Sequence, residues 1–204
     1  MNGAALLSSA YFGPVQWFWQ MHRHDTVLIE HCDSFVKQTY RNRCVIATAA
    51  GAQTLVVPVE RATDGIGAGI STRISDHGNW RHLHRNALVS AYGDSPFFEY
   101  YADDILPFFE RRWTFLYDFN MDITMKMCEL LDIHPDIKPT TRYVKAPAAV
   151  DDCRETIHPK HAATATDFIP KEYYQVYSRR NGFIPDLSIL DLLFNMGNES
   201  LLYL

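Results

Sequence analysis

The sequence lacks most of the short signatures that announce a chemistry. It holds no GxGxxG, no GxxxxGK[ST] and no GxSxG, so the dinucleotide-binding, phosphate-loop and hydrolase-elbow fingerprints are absent. Its four cysteines, Cys32, Cys44, Cys128 and Cys153, form no CxxC pair and no metal-type spacing. They read as separate reduced thiols, and no metal is assigned. Positive charge is also short. A net charge of -5 gives no global pull toward nucleic acid or an anionic membrane, and no local basic patch is large enough to replace it. No run is long and apolar enough to span a bilayer, because Asp, Lys, Arg or Gly interrupts each candidate. The first ten residues lack the basic start and apolar stretch of a secretion signal. These absences lead to the expectation of a soluble, cytoplasmic protein with no nucleic-acid partner.

What is present is ordinary globular material, 47% hydrophobic and 21% charged, which excludes disorder. At 204 residues it fits one α/β domain able to bury most of its apolar surface. Ala4 to Tyr11 reads as a strand, Pro14 to His22 as a helix, and Thr26 to Glu30 as a second strand, a β-α-β opening. Arg43 to Ala49 and Thr54 to Glu60 read as a hairpin turning at Ala50-Gly51-Ala52. A loop follows over Arg61 to Gly69, then a short strand at Ile70 to Ile74. Residues 1–76 are thus mainly sheet. From Asn79, read as an N-cap, Trp80, Leu83, His84, Ala87, Leu88, Ala91 and Tyr92 recur at helical spacing before Gly93. Ser95-Pro96 starts a helical stretch that Pro107 divides, and Asp118 caps another, so residues 77–134 are helical. Lys138 to Pro170, with four prolines and no period, reads as a long loop. Over 171–204, Tyr173 to Tyr177 reads as a strand and Asp186 as the cap of a helix over Leu187 to Met196. The fold class is α/β: an N-terminal β-α-β unit and a β-hairpin forming a mixed sheet, with a mainly helical C-terminal half packed on it.

The densest polar run, Lys37-Gln38-Thr39-Tyr40-Arg41-Asn42-Arg43, lies between two strands, where open α/β sheets place their ligand crevices. Lys37, Arg41 and Arg43 could hold phosphate or carboxylate, Gln38 and Asn42 could read an amide or hydroxyl, and Tyr40 could stack on a ring. If the strand has begun by Arg41, Arg41 and Arg43 share a face and Asn42 takes the other. A polar connection whose arginines pair with acids fits the same residues. His84 shares the apolar stripe of its helix with Trp80, so it is either a satisfied core histidine or a general base. His22-Arg23-His24 sits where the first helix ends and suits a dipole-compensating cap. Ser188, Asp191 and Asn195 form a polar stripe in a greasy helix, satisfying loop backbone or lining a pocket. The aromatics around Tyr11-Phe12 and Phe97-Phe98-Glu99-Tyr100-Tyr101 are core, or the floor of a sugar or nucleotide pocket.

Ala10-Tyr11-Phe12-Gly13-Pro14, the KQTYRNR run, Trp80 with His84 and Tyr92, Ser95-Pro96-Phe97-Phe98-Glu99-Tyr100-Tyr101, and Gly182 to Asn195 occur in that order. This series resembles the WbqC-like protein family nearly end to end. Many relatives carry a His-Gln-Pro after the first strand, where this chain has Ser8-Ser9-Ala10. The resemblance implies a biosynthetic role linked to O-antigen and other cell-surface polysaccharides, with sugar, acyl or glycine transfer as the implied chemistry. It carries over no catalytic residues and no cofactor. The expected function is therefore a transferase acting on a small molecule bearing phosphate or carboxylate. His84 would serve as base, with Lys37, Gln38, Tyr40, Arg41, Asn42, Arg43, Tyr11, Trp80 and Ser95 around the substrate. The alternative is a non-catalytic small-molecule or nucleotide-binding protein or scaffold.

Overall fold

The computed structural model describes residues 3–60, 69–145, 147–161 and 167–204. Strand β1 (Ala4–Ser8), helix α1 (Val15–Arg23) and strand β2 (Thr26–Glu30) form the β-α-β opening that the alternation of apolar runs predicts. The two strands run parallel in the register Ala4↔Thr26 to Ser8↔Glu30. Ala5, Leu7, Val27 and Ile29 are wholly buried on one face of this pair, as expected where a crossover helix covers a parallel sheet. Strand β1 ends at Ser8 rather than Tyr11. Phe12 adopts a positive φ of 41°, and the Tyr11 amide bonds the Tyr40 carbonyl at 2.9 Å, outside the strand ladder.

Two further strands lie in regions whose sequence shows no alternation. Strand β5 (Asp136–Pro139) adds parallel to β2, and β6 (Val150–Asp152) adds parallel to the free side of β1, giving the order β5-β2-β1-β6. The segment expected as one long loop from Lys138 to Pro170 therefore supplies a strand. Its three residues are too few, and two too charged, to show a period.

The antiparallel hairpin of β3 (Arg43–Thr48) and β4 (Gly51–Val56) stands as a separate pair, turning at Ala49-Ala50. Beyond Val56 the chain reaches Pro58, so the strand expected to run to Glu60 gives way to an isolated Val59–Ile74 bridge. That bridge and an isolated Arg73–Phe115 bridge are what remain of the strand expected at Ile70 to Ile74. Of the loop expected at Arg61 to Gly69, residues 61–68 lie outside the described residues.

The helical half follows: α2 (Trp80–Tyr92), α3 (Phe98–Ile105), α4 (Leu116–Leu130), a short α5 (Ser178–Asn181) and α6 (Ile189–Met196). Asn79 sits before α2 in the left-handed region and makes no side-chain cap bond. Pro107 separates α3 from Glu110 through a 3-10 turn, as expected. Asp118 falls inside the first turn of α4, not at its cap. Ser188, not Asp186, caps α6, accepting from the Leu190 amide and donating to the Phe12 carbonyl. Tyr173 to Tyr177 is not a strand; Tyr173 and Gln175 turn their side chains onto Asp191 instead.

The last segment stitches the layers together. The Val15 amide bonds the Leu187 carbonyl, the Ile189 amide the Gly13 carbonyl, and the Ser188 amide the Val45 carbonyl. Helix α6 is buried over Ile189 to Asn195, which accounts for its apolar composition on all sides.

Candidate functional site

All four strands of the parallel sheet point their carboxyl ends the same way, and the chain after them converges there. Sheet growth runs from β1 to β2 to β5, then jumps to the other side of β1 for β6. A crevice opens between neighbouring strands whose connections diverge, the usual ligand position of an open α/β sheet. Between β1 and β6 a narrow slot is lined by Ser8, Ser9, Tyr40, Arg41 and Arg154. It adjoins a cavity of about 260 Å³ that also touches Arg41 and Arg154 and adds Asp33, Tyr143, Lys145 and Asp152. That volume lies just below the range of sites that enclose a drug-sized ligand, so it suits the head group of a small molecule.

Two arginines dominate the crevice, and they are bound differently. Arg154 is spent on structure. Its Nη1 donates to Glu30 at 2.6 Å, its Nε and Nη2 to Asp152 at 2.9 and 2.7 Å, and Nη2 also to the Val144 carbonyl at 2.7 Å. The Asp152 and Glu30 carboxylates hold Arg154 more firmly protonated than usual. Glu30, at the end of β2, is itself closed by the Cys32 amide at 2.8 Å and the Thr140 hydroxyl at 2.6 Å. Arg41 pairs with Asp33 and reaches Thr39 at 3.4 Å, and a guanidinium with five N–H donors has others to offer. Burial raises the Asp33 carboxyl above its usual value, against the pull of Arg41.

Polar atoms around this crevice are under-satisfied. The Ser8 hydroxyl and the Asn120 side-chain oxygen are buried with no hydrogen-bond partner among the described residues. The Asn120 amide donates to the Arg41 carbonyl at 2.7 Å and, at 3.4 Å, to the Ser9 hydroxyl. Buried polar groups left over after folding gather where a water or ligand completes them.

The polar run splits on folding. Lys37 and Gln38 are exposed, Gln38 at a positive φ of 63°. Tyr40 and Arg41 line the slot. Asn42 turns away and donates to the Val57 carbonyl at 2.9 Å. Arg43 opens β3, so strand alternation starts after Arg41 and the expected shared face of Arg41 and Arg43 does not arise.

His84, Tyr11 and Trp80 form a different cluster. The Tyr11 hydroxyl meets His84 Nδ1 at 2.9 Å, with Trp80 and Phe109 rings against the imidazole. Burial pushes His84 down to about 4, against the Val56 backbone carbonyl, and none of the three lines the cavity. Trp80 Nε1 donates to the Ser75 carbonyl at 3.0 Å. Ser95 is buried before α3 with a partnerless hydroxyl among the described residues.

Sequence reasoning passed over Glu30, Asp33, Lys145, Asp152 and Arg154. Glu30 was visible as an acid ending an apolar strand. Arg154 follows a strand with no periodic signal. Among the described residues no group of three or more His, Cys, Asp or Glu side chains could hold a metal ion, and no helix is long and apolar enough to cross a membrane.

An open parallel sheet with a polar crevice at its strand ends defines an α/β protein. Residues 9–169 match the model of the WbqC-like protein family, and the chain belongs to that family. It is also similar to the uncharacterized protein Rv1507c of Mycobacterium tuberculosis (strain ATCC 25618 / H37Rv). That relative is 26% identical over 227 residues, covering 100% of this chain and 98% of the relative. No solved structure matches the chain.

Proposed function

We propose that the crevice beyond β1 and β6 binds a small phosphate- or carboxylate-bearing molecule and that the chain transfers a sugar or acyl group there, in the making of cell-surface polysaccharide. The observation that carries the reading is Arg41. It is an almost buried guanidinium, held in place by Asp33 and Thr39, with donors to spare and lining both the slot and the cavity. Bidentate donors of this kind suit phosphate and carboxylate. Lys145 at the same cavity adds a third cationic side chain beside Arg41 and Arg154. The family's association with polysaccharide gene clusters supports the substrate class.

In this reading Asp33 moves the proton. Its carboxyl lines the cavity and is raised by burial, which makes it a better base than an ordinary aspartate. It takes the proton of the acceptor hydroxyl or amine as the new bond forms, while the phosphate leaving group departs on Arg41. His84, the base expected from the helical pattern, is instead a positioning residue that holds Tyr11 and through it the loop after β1. The cytoplasm, as the location of activated sugar and acyl donors, fits this chemistry.

One observation favours a binding protein without catalysis: Asp33, Arg41, Asp152 and Arg154 at the crevice each already have an ionic partner. Calorimetric titration with inorganic pyrophosphate and a nucleotide sugar separates the readings. Binding that falls at least tenfold in Arg41→Ala but not in Lys37→Ala supports the site. Absence of binding, or indifference to Arg41→Ala, overturns it. Slow hydrolysis of the bound donor that Asp33→Asn abolishes identifies the transferase, and binding without turnover identifies the binder.

A further inference from the structure

A second cleft lies where the later helices meet the C-terminus, away from the arginine crevice. It has a volume of about 690 Å³ and is formed by Tyr100, Tyr101 and Asp104 of α3, the end of α4 through Asp132, and Asn198 and Leu201 of the final 3-10 turn. None of these residues lines the arginine crevice or its slot.

Its wall combines ring faces with hydrogen-bonding groups. Tyr100 is 74% exposed, far more than packing requires of a tyrosine on a helix. Its ring stands edge-on to Tyr101 at 4.7 Å between centroids. Tyr101 is buried and anchored, its hydroxyl donating to Asn198 Oδ1 at 3.0 Å. That bond fixes the Asn198 side chain, whose amide nitrogen is a donor on the other prong of the fork. Tyr100 therefore has a rigid neighbour to lean on and an open face.

The charge of the cleft decides what it accepts. Asp104, Glu129 and Asp132 contribute three carboxylates against Lys126, which sits 3.6 Å from Asp104 and 2.8 Å from Glu129, and the His134 imidazole, 2.9 Å from Asp132. The carboxyl end of α4 points at the same place and adds negative potential. An anion is repelled there. A ring with apolar C–H faces and several hydroxyls is matched: the faces lie on Tyr100 and the hydroxyls donate to the carboxylates. A protonated amine on that ring gains further from the tyrosine face and the carboxylates.

We infer that the Tyr100–Tyr101 cleft is a carbohydrate-binding subsite selective for neutral or amino sugars over acidic ones. This goes beyond the arginine crevice and does not depend on it, because the two clefts differ in residues and in sign.

The test is saturation-transfer NMR, with calorimetry for affinity, on the full chain. The probes are β-linked trisaccharides of N-acetylglucosamine, glucosamine and galacturonic acid. The expected result is binding of the first two and not the third. Tyr100→Ala, an exposed change that leaves the fold intact, weakens both at least tenfold. Asp104→Asn weakens the glucosamine trimer severalfold more than the N-acetylated one, and Arg41→Ala changes neither. Absence of transfer to every trisaccharide, equal binding of the galacturonate trimer, or affinities indifferent to Tyr100→Ala each overturn the inference. Circular dichroism of each variant ensures that a loss of binding is not a loss of fold.

Discussion

At the residue scale the informative side chains are the buried and half-buried acids. Asp186 accepts from the amide and side chain of Gln16, yet burial still raises its carboxyl to about 7. Asp191 is wholly buried in α6, accepting from Tyr92, Tyr173 and Gln175, and burial raises it to about 6. An unfolded aspartate titrates near 3.9, so between about 4 and 7 these two carboxyls bind more protons folded than unfolded. His84, held at about 4, binds fewer folded up to about 6.5 and offsets part of this, and the two aspartates together outweigh it. Stability must then fall as pH rises through that window and level off above it. Thermal melts from pH 5 to 8 are expected to show a declining Tm. Asp186→Asn flattens the upper part of the decline, and the variant tolerates its backbone because Asn accepts a positive φ such as the 52° found there. An unchanged slope in that variant would mean that Asp186 is ionised throughout. Ser9, Asn120 and Arg41 show the other side of residue-scale reading. Their chemistry is plain in the sequence, but their convergence joins residues 111 positions apart.

At the element scale, α6 joins the two halves of the chain, and its buried cap is the point of weakness. Ser188 both caps the helix and bonds the Phe12 carbonyl that leads into α1. Ser188→Ala is expected to cost about 1–2 kcal/mol. For a chain of this size that corresponds to a fall of roughly 2–8 °C in Tm. A shift under a degree would show that the Leu187 to Ile189 backbone bonds suffice alone. At the far end, Gly197 has φ of 56°, and a Cβ there would lie 2.7 Å from the Phe97 ring. Gly197→Ala is therefore expected to destabilise through both backbone strain and the clash, seen as a lower denaturant midpoint with unchanged slope. Elements of this kind were legible in the sequence: α1, α2, α4 and α6 show helical spacing, and β2 and β3 are β-branched runs. Strands β5 and β6 were not, since DIKP and VDD owe their conformation to partners more than 100 residues away. The Tyr173 to Tyr177 stretch failed for the converse reason. Its alternation of buried residues serves Asp191 and not a sheet ladder.

At the scale of the whole molecule, the hidden strand β6 decides where the crevice lies, because it brings Asp152 and Arg154 to the strand ends that the polar run approaches from the other side. Tyr40 and Arg41, which the sequence singled out, fold into one slot, but half of the crevice comes from a segment that reads as loop. The two arginines can now be told apart by what their loss does. The Glu30–Arg154 pair is almost fully buried, with side chains 1% and 6% exposed, and ties the end of β2 to the segment after β6. Removing one partner of such a pair costs about 3–5 kcal/mol. Glu30→Gln should fall at the low end because Asp152 remains on Arg154. The exposed Arg111–Asp122 pair is screened by solvent, so Asp122→Asn should leave the melting curve in place. Arg41→Ala lies between, because Asp33 is left in a buried setting and takes up a proton more readily once its cation is gone. Denaturant titration of these three variants, with ligand binding measured on each, is expected to give a large stability loss in Glu30→Gln at pyrophosphate affinity within a fewfold of the parent. Arg41→Ala should instead show a smaller stability loss and a tenfold or greater loss of affinity. If both variants lost stability and affinity in proportion, the crevice would be a structural clamp on both sides, and the ligand would have to be sought at the tyrosine cleft alone.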